Sequence, residues 1–450
     1  MGKSLEKSTH RVIIIKRIIL QGITLLVEDN DELAQFYRLN LKVWVGANVK
    51  RVSSIKGLEK FVQQEENIDL IISKSTFSPI VQKVLELDSL SNIAHIDIGT
   101  KNFEGYSVES GLDIKPLIQS CAKALGVTAS DMAKLEVPEY FPIDLPHFAV
   151  LKTAICRVFK KGKSRHGLAF EVDEPINREK LVQLKKEGHD TLFVHKVDRL
   201  RMVTNINQEI ATKIDMDVLN PAEALAANEM AHELLQFKLR RIGITPETTA
   251  LANKSIKNMV AASKKFPKLK KLMGRLIKNK AGYLFKHSQI MMYVCSHLMD
   301  HMEWGSEEQK KTINFVAFFH DIVLENDEQA MIHSEEDLKS SRLDQREKDL
   351  VMTHAQKSAE VVVKFPSAPM GADVIVRQHH GVPHGVGFSQ TYGGNLSPMT
   401  IVFILAEDFV DHLIKSGTEL NVEEKITEMR ERFPTQRFKK IIDVLETVTL

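Results

Sequence analysis

The 450-residue chain is poor in cysteine, in one-sided charge and in long apolar runs. Its three cysteines, Cys121, Cys156 and Cys295, lie far apart with no CxxC pair. That excludes a disulfide framework and a cysteine-type zinc site, and it suits a reducing compartment. Lys and Arg total 61 against 59 Asp and Glu, a formal net charge of +2, which gives no support to binding of a nucleic-acid polymer. The longest apolar patch near the start, Val12 to Leu20, is broken by Lys16 and Arg17. It falls far short of the ~20 residues a membrane-spanning helix needs. No small-residue cleavage site follows it, so no signal peptide is expected. The chain reads as cytoplasmic, without a transmembrane segment. No internal repeat or low-complexity tract is visible, which argues against a solenoid.

What is present is enough apolar residue, 43%, with 27% charged, to build packed cores. At ~150 residues per domain the length fits about three domains. Histidine is unevenly spread. Of 17, ten fall between His287 and His412, and the first 286 residues hold seven.

Short apolar runs alternate with amphipathic stretches from Ile23 onward. ITLLV (Ile23 to Val27), a short strand near Val49, IDLIIS (Ile68 to Ser73) and AHIDIG (Ala94 to Gly99) read as strands. Helices are expected after Glu28-Asp29-Asn30-Asp31, around Ile55 to Val62, and from Lys115-Pro116 to Gly126. Strands alternating with helices imply a parallel α/β sheet. Residues 127–141 read as a linker, with Pro138 and Pro142 breaking periodicity. A small α+β module follows at 142–204, with strands over Phe148 to Phe159, GLAFEV and TLFVH (Thr191 to His195) and a helix over Ile176 to Gly188. KKGKSRHG is its solvated hairpin tip, and His147, His166, His189 and His195 read as packing or surface residues. From Asn205 onward helical patterns dominate. The basic run Lys264 to Lys280 reads as an amphipathic helix with a solvated face.

Residues 22–126 resemble a response-regulator receiver domain, on LLVED after the first strand, IDLIIS as the third and Lys115-Pro116 before the last helix. The resemblance implies a flavodoxin-like fold, with Glu28 and Asp29 as the metal-holding acidic pair and Lys115 as the sensing lysine. The phosphoryl acceptor is missing, because Lys74 stands where the family has Asp, and an ammonium cannot accept a phosphoryl group by the aspartyl route. Lys74 is expected beside Glu28 and Asp29 as a fixed positive charge. The implied role is phosphorylation-independent contact with protein partners.

The C-terminal half carries His287, His320-Asp321, His354, His379-His380 and Asp408, in that order. The His-Asp pair ends FVAFFHDIVL, and a carboxylate at the end of so apolar a stretch is costly unless paired or bound to a cation. A single buried histidine is more often a core residue than a ligand. The ordered set changes that reading. Imidazoles with carboxylates suit first-row divalent metals such as iron or manganese.

This order resembles the HD-GYP branch of the HD metal-phosphohydrolase superfamily, over residues 210–445. The resemblance implies an all-α domain and two divalent ions, iron or manganese. The implied ligands are His287, His320, Asp321, His354, His379, His380 and Asp408, with His320 and Asp321 at the catalytic centre. The implied substrate is a cyclic dinucleotide, cyclic dimeric GMP. A homodimer is compatible with this organisation. The chain departs from the family where Leu324 replaces a phosphate-contacting lysine. In the GYP loop, Gly381, His384, Phe388 and Ser389 replace Glu, Asp, Tyr and Pro, while Gly385 and Gly387 remain. Tyr283 stands where some members have a third-metal glutamate. The expected whole is therefore multidomain: an α/β receiver-like domain, an α+β module and a large all-α HD-GYP-like domain. Metal binding is better supported than turnover, and a module that binds nucleotide or partner without cleavage is the alternative.

Overall fold

The computed structural model describes residues 22–64, 67–86, 92–99, 106–126, 137–162, 165–278, 281–389, 392, 396–417 and 421–448. The patch Val12 to Leu20 and most of the expected linker lie outside them. The chain divides into two compact units, Met1–Glu223 and Ala224–Leu450.

In the first unit, strands β1 (Ile23–Val27), β2 (Asn48–Val52), β3 (Ile68–Lys74), β4 (Ala94–Ile98) and β5 (Tyr106–Val108) pair in parallel. Their order is β2-β1-β3-β4-β5. β1 is buried along its whole length and β3 along most of it, as continuous apolar runs require in a sheet covered on both faces. Helices α1 (Asp31–Asn40), α2 (Ile55–Gln64), α3 (Ser78–Leu85) and α4 (Ile114–Ala124) alternate with these strands. The Asn30 side chain caps α1 by accepting the Leu33 N–H at 2.8 Å. In this strand order the switch point falls between β1 and β3, at the carboxyl ends of the strands. Glu28 and Asp29 follow β1, and Lys74 ends β3, so all three lie there.

A second, antiparallel sheet has the order β6-β9-β7-β8. It consists of β6 (Tyr140–Asp144), β7 (Val158–Lys161), β8 (His166–Phe170) and β9 (Thr191–His195), with α5 (Arg178–Lys186) between β8 and β9. The strand expected over Phe148 to Phe159 is different in the structure. Residues Leu145–Val150 form a 3-10 turn with Pro146 at its start, and only Val158 and Phe159 of that run join the sheet. Helix α6 (Arg199–Lys213) runs through Asn205, where the helical region was expected to begin. Its Asn207 exchanges side-chain hydrogen bonds of 2.9 and 3.0 Å with Asn40 of α1.

The second unit is helical, with no strand among its described residues. Its elements are α7 (Pro221–Ile242), α8 (Pro246–Lys264), α9 (Leu269–Lys278), α10 (Tyr283–His301), α11 (Glu307–Phe319), α12 (Asp327–Ala330), α13 (Glu335–Ser340), α14 (Gln345–Lys364), α15 (Ala372–Gln378), α16 (Pro398–Ser416), α17 (Val422–Arg432) and α18 (Gln436–Leu445). Helix α10 is central and packs on α8, α9, α11, α16 and α18. Phe318, Phe319, Phe403, Phe409 and Phe433 fill the core. Helix α9 is amphipathic as expected, with Leu269, Leu272, Met273 and Leu276 buried and Ile277 exposed. No described helix is long and apolar enough to cross a membrane.

Candidate metal centre

Four segments of the second unit converge on one buried cluster. His287 comes from the first turns of α10, and His354 from the middle of α14. His320 and Asp321 follow the buried apolar end of α11, and His379 and His380 follow α15. His287, His320, His354 and His379 are buried, as is Asp321.

Backbone contacts set the tautomers. Nδ1 of His320 lies 3.1 Å from the Ala317 carbonyl, Nδ1 of His354 lies 2.5 Å from that of Val351, and Nδ1 of His379 lies 2.6 Å from that of Val376. A carbonyl only accepts, so each Nδ1 carries the proton and each Nε2 presents a lone pair. Those Nε2 atoms point at one another. His287 and His320 are 3.1 Å apart at Nε2, His354 and His379 also 3.1 Å, and His380 and His354 2.9 Å. Facing lone pairs at such separations repel unless a cation or proton lies among them.

Asp321 joins the two groups of imidazoles. Its Oδ2 is 3.4 Å from His320 Nε2 and its Oδ1 is 3.4 Å from His354 Nε2. Two sets of donor atoms result, His287 with His320 and Asp321, and His354 with His379 and His380. Within each set the ligand atoms lie within 4.8 Å of one another. One carboxylate reaching both sets is the arrangement a pair of cations requires of a bridge.

Helix α16 supplies two more carboxylates. Glu407 is buried, with Oε1 3.8 Å from His320 Nε2 and 3.9 Å from His379 Nε2. That oxygen has no hydrogen-bond partner among the described residues. Asp411 Oδ1 is 3.3 Å from His287 Nδ1, and its Oδ2 is 3.0 Å from His333 Nδ1. The Tyr283 hydroxyl lies 2.9 Å from His333 Nε2, and its ring stacks on His287 at 5.6 Å.

Burial governs the proton affinities. It pushes His320 down to about 4, and His379 and His380 well below the usual imidazole value. At His287 burial also lowers the value, but the adjoining Asp411 carboxylate, 3.3 Å from Nδ1, outweighs it and the net shift is upward. Asp321 is held below the usual carboxylate range: burial raises it, and the surrounding imidazoles, His320 first, outweigh burial. Burial, with the neighbouring Asp411, Asp321 and Asp408 charges, pushes Glu407 well above its usual value. Inward lone pairs, an ionised bridging carboxylate and an orphaned Glu407 oxygen make a nitrogen–oxygen donor set that fits first-row divalent cations.

Asp408, expected as the closing ligand, faces away. Its Oδ1 is 2.6 Å from Arg432 Nη1 and its Oδ2 is 2.9 Å from Lys425 Nζ. The reason is helical rotation: Glu407 and Asp411 are four residues apart on one face of α16, and Asp408 is about 100° round from Glu407. Glu407, Asp411, His333 and Tyr283 are the residues that the sequence pattern left out of the cluster. The i,i+4 spacing of Tyr283 with His287, and of Glu407 with Asp411, is the signal that carries them.

Around this cluster the walls are apolar. Leu324 is buried in one core with Tyr283, Leu338, Leu343 and Val351. Phe388 packs edge-on against His380 at 4.7 Å. Gly385 has a φ of 75°, and a Cβ there would meet the Arg377 carbonyl oxygen at 2.9 Å and the Gln356 nitrogen at 3.0 Å, so the loop fits against α14 only with glycine. His384 is exposed on that loop.

In the first unit Lys74 Nζ lies 3.3 Å from Asp29 Oδ1. Glu28 is buried, accepts the Asn30 N–H at 2.9 Å and is pushed up to about 7 by burial. Lys115 is exposed on the first turn of α4 and makes no ion pair with these acids among the described residues.

No protein-family model matches the chain, and no curated protein matches it. A solved structure, Bd1817, a HDG"Y"P protein from Bdellovibrio bacteriovorus, is similar over 68% of this chain and 99% of that chain. The identity is 13% and the TM-score 0.36. At that likeness the chemistry of the cluster rests on its own side chains.

Proposed function

We propose that the chain is a metal-dependent phosphohydrolase of the HD type acting on a cyclic dinucleotide, cyclic dimeric GMP. The observation that supports this reading most is Asp321 placed between two sets of inward-facing imidazoles. The donor set His287, His320, Asp321, His354, His379 and His380, with Glu407 in place of Asp408, would hold two divalent cations, iron or manganese. Such cations supply Lewis-acid chemistry, acidifying water and neutralising phosphoryl oxygens. The protein's part is positioning. Asp411 fixes the ring of His287, the backbone carbonyls fix His320, His354 and His379, and the apolar wall excludes bulk water. The receiver-like sheet acts as a regulator that takes no phosphoryl group, because the Lys74 ammonium occupies the acidic crevice and pairs with Asp29. Protein partners contact the chain through that unit.

The test is incubation of the full chain with cyclic dimeric GMP and Fe(II) or Mn(II), followed by chromatography. A linear dinucleotide or GMP is expected, and the combined His320→Ala, Asp321→Ala change abolishes it. One observation favours a second reading, a module that binds nucleotide or partner without turnover: Leu324 is locked in an apolar core where the resemblance calls for a phosphate-contacting lysine. Metal bound in stoichiometric amount with no product under either ion selects that reading.

A further inference from the structure

A cavity of about 1050 Å³ opens between α8, α10, α11 and residues 367–370, and none of the metal-cluster side chains lines it. Its size is at the upper end of small-molecule sites, roughly 300–1,000 Å³. Ser296 on its wall is nine residues after His287 on α10, which puts it on the opposite face of that helix from the cluster.

Three features of the lining are unexplained by the fold. Tyr293 is half-buried, yet among the described residues its hydroxyl makes no hydrogen bond and its ring no aromatic contact. A tyrosine so placed ordinarily finds a partner for both. Asn314 is buried, and its side chain meets one partner, the Ser296 hydroxyl, at 3.2 Å through Oδ1 and 3.1 Å through Nδ2. The amide therefore keeps a spare donor and a spare acceptor. Lys257 and Lys264 lie seven residues apart on α8, along one side of the groove; neither is within salt-bridge distance of an acid among the described residues, and Lys264 is near enough to Glu307 to favour its charged form. The other two lysines, Lys310 and Lys311, are matched by the acids of the groove: Lys310 by Asp300 and Glu307, and Lys311 by Glu308.

We propose that this groove is a second ligand site, for a purine nucleoside monophosphate. The base lies on the Tyr293 ring, its edge meets the Asn314 amide, and its phosphate is drawn to Lys257 and Lys264. A flat π-face, a donor–acceptor pair and two cations along one wall are the complement of that ligand. The site also has a route to the metal cluster: Phe315 lines the groove and stacks on Phe319 at 4.5 Å, and Phe319 immediately precedes His320.

The experiment is calorimetric titration of the full chain with AMP and with GMP in phosphate-free buffer. Saturable 1:1 binding of at least one is expected. Tyr293→Ala weakens it by about tenfold or more, the value of one lost base stack, and so does the Lys257→Glu, Lys264→Glu pair. The lysine pair is exposed, so that variant keeps the fold. Binding persists in EDTA-treated wild type and in His354→Ala, which separates this site from the metal cluster. Absence of saturable binding by either nucleotide up to about 5 mM overturns the proposal, since weaker association has no useful affinity. Binding unchanged in both groove variants, or lost with the metal, overturns it as well.

Discussion

Asp411 grips two histidines at once, His287 through Oδ1 and His333 through Oδ2. A carboxylate on the far nitrogen of a ligating imidazole orients the ring and raises its basicity. Asp411→Asn is therefore expected to weaken metal affinity by about 10–100-fold. Asp408→Asn leaves affinity unchanged and lowers thermal stability, because it leaves the buried Lys425 with a weaker partner. A competition titration against a chelating dye, run on both variants, checks the pair. The distinction between these acids was not legible in the sequence. AEDFVDHL holds three carboxylates within five residues, and only the rotation of α16 decides which face the histidines.

Glu28 gives a second residue-scale expectation. Its folded value is about 7 against 4.5 for the unperturbed group, burial being the main cause. Asp29, Lys74 and the buried Tyr37 are the titratable groups around it, and Arg51 Nε donates to its carbonyl. Between these two values the unfolded chain has lost the proton and the folded chain keeps it. Stability from this group thus falls as pH rises from about 4.5 to 7 and is level beyond, a total of about 3 kcal/mol. Glu28→Gln removes that loss. Its melting temperature should match wild type near pH 4.5 and exceed it at pH 7.5. Equal differences at both pH values would contradict the assignment.

At the scale of elements, the buried strands β1, β3 and β4 were plain in the sequence, because parallel strands covered on both faces are continuous apolar runs. Strand β6 was not, since Pro142 reads as a breaker. It is tolerated because β6 is the edge of its sheet, paired on one side with β9. The run from Phe148 to Phe159 misled for the opposite reason: an apolar run alone does not tell a strand from a packed turn. In the second unit, the segment after α11 carries both catalytic candidates and Leu324, and it belongs to a core shared with Tyr283 and Val351. Leu324→Ala should cost about 2–5 kcal/mol. Leu324→Lys buries an unpaired ammonium and should lower the melting temperature further, without raising turnover. A Leu324→Lys protein that keeps wild-type stability and gains activity would show that the apolar wall opens toward substrate.

For the whole molecule, the sparse cysteines and balanced charge left histidine as the unusual feature of this chain. Six of the ten histidines between His287 and His412 gather at one cluster: His287, His320, His354, His379 and His380 turn Nε2 inward, and His333 stands behind them on Asp411. With Leu324 buried in the apolar wall, the proposed polyanionic substrate would draw its positive charge from cations bound at the cluster. If the centre holds two cations, Asp321 would serve both, with Oδ2 toward His320 and Oδ1 toward His354. The direct measurement is elemental analysis of the full chain after anaerobic reconstitution with Fe(II) or Mn(II) and gel filtration. About two ions per chain are predicted, with both lost in Asp321→Ala and a folded protein retained. A wild-type chain that emerges metal-free, or an Asp321→Ala chain that keeps the full complement, would contradict the account.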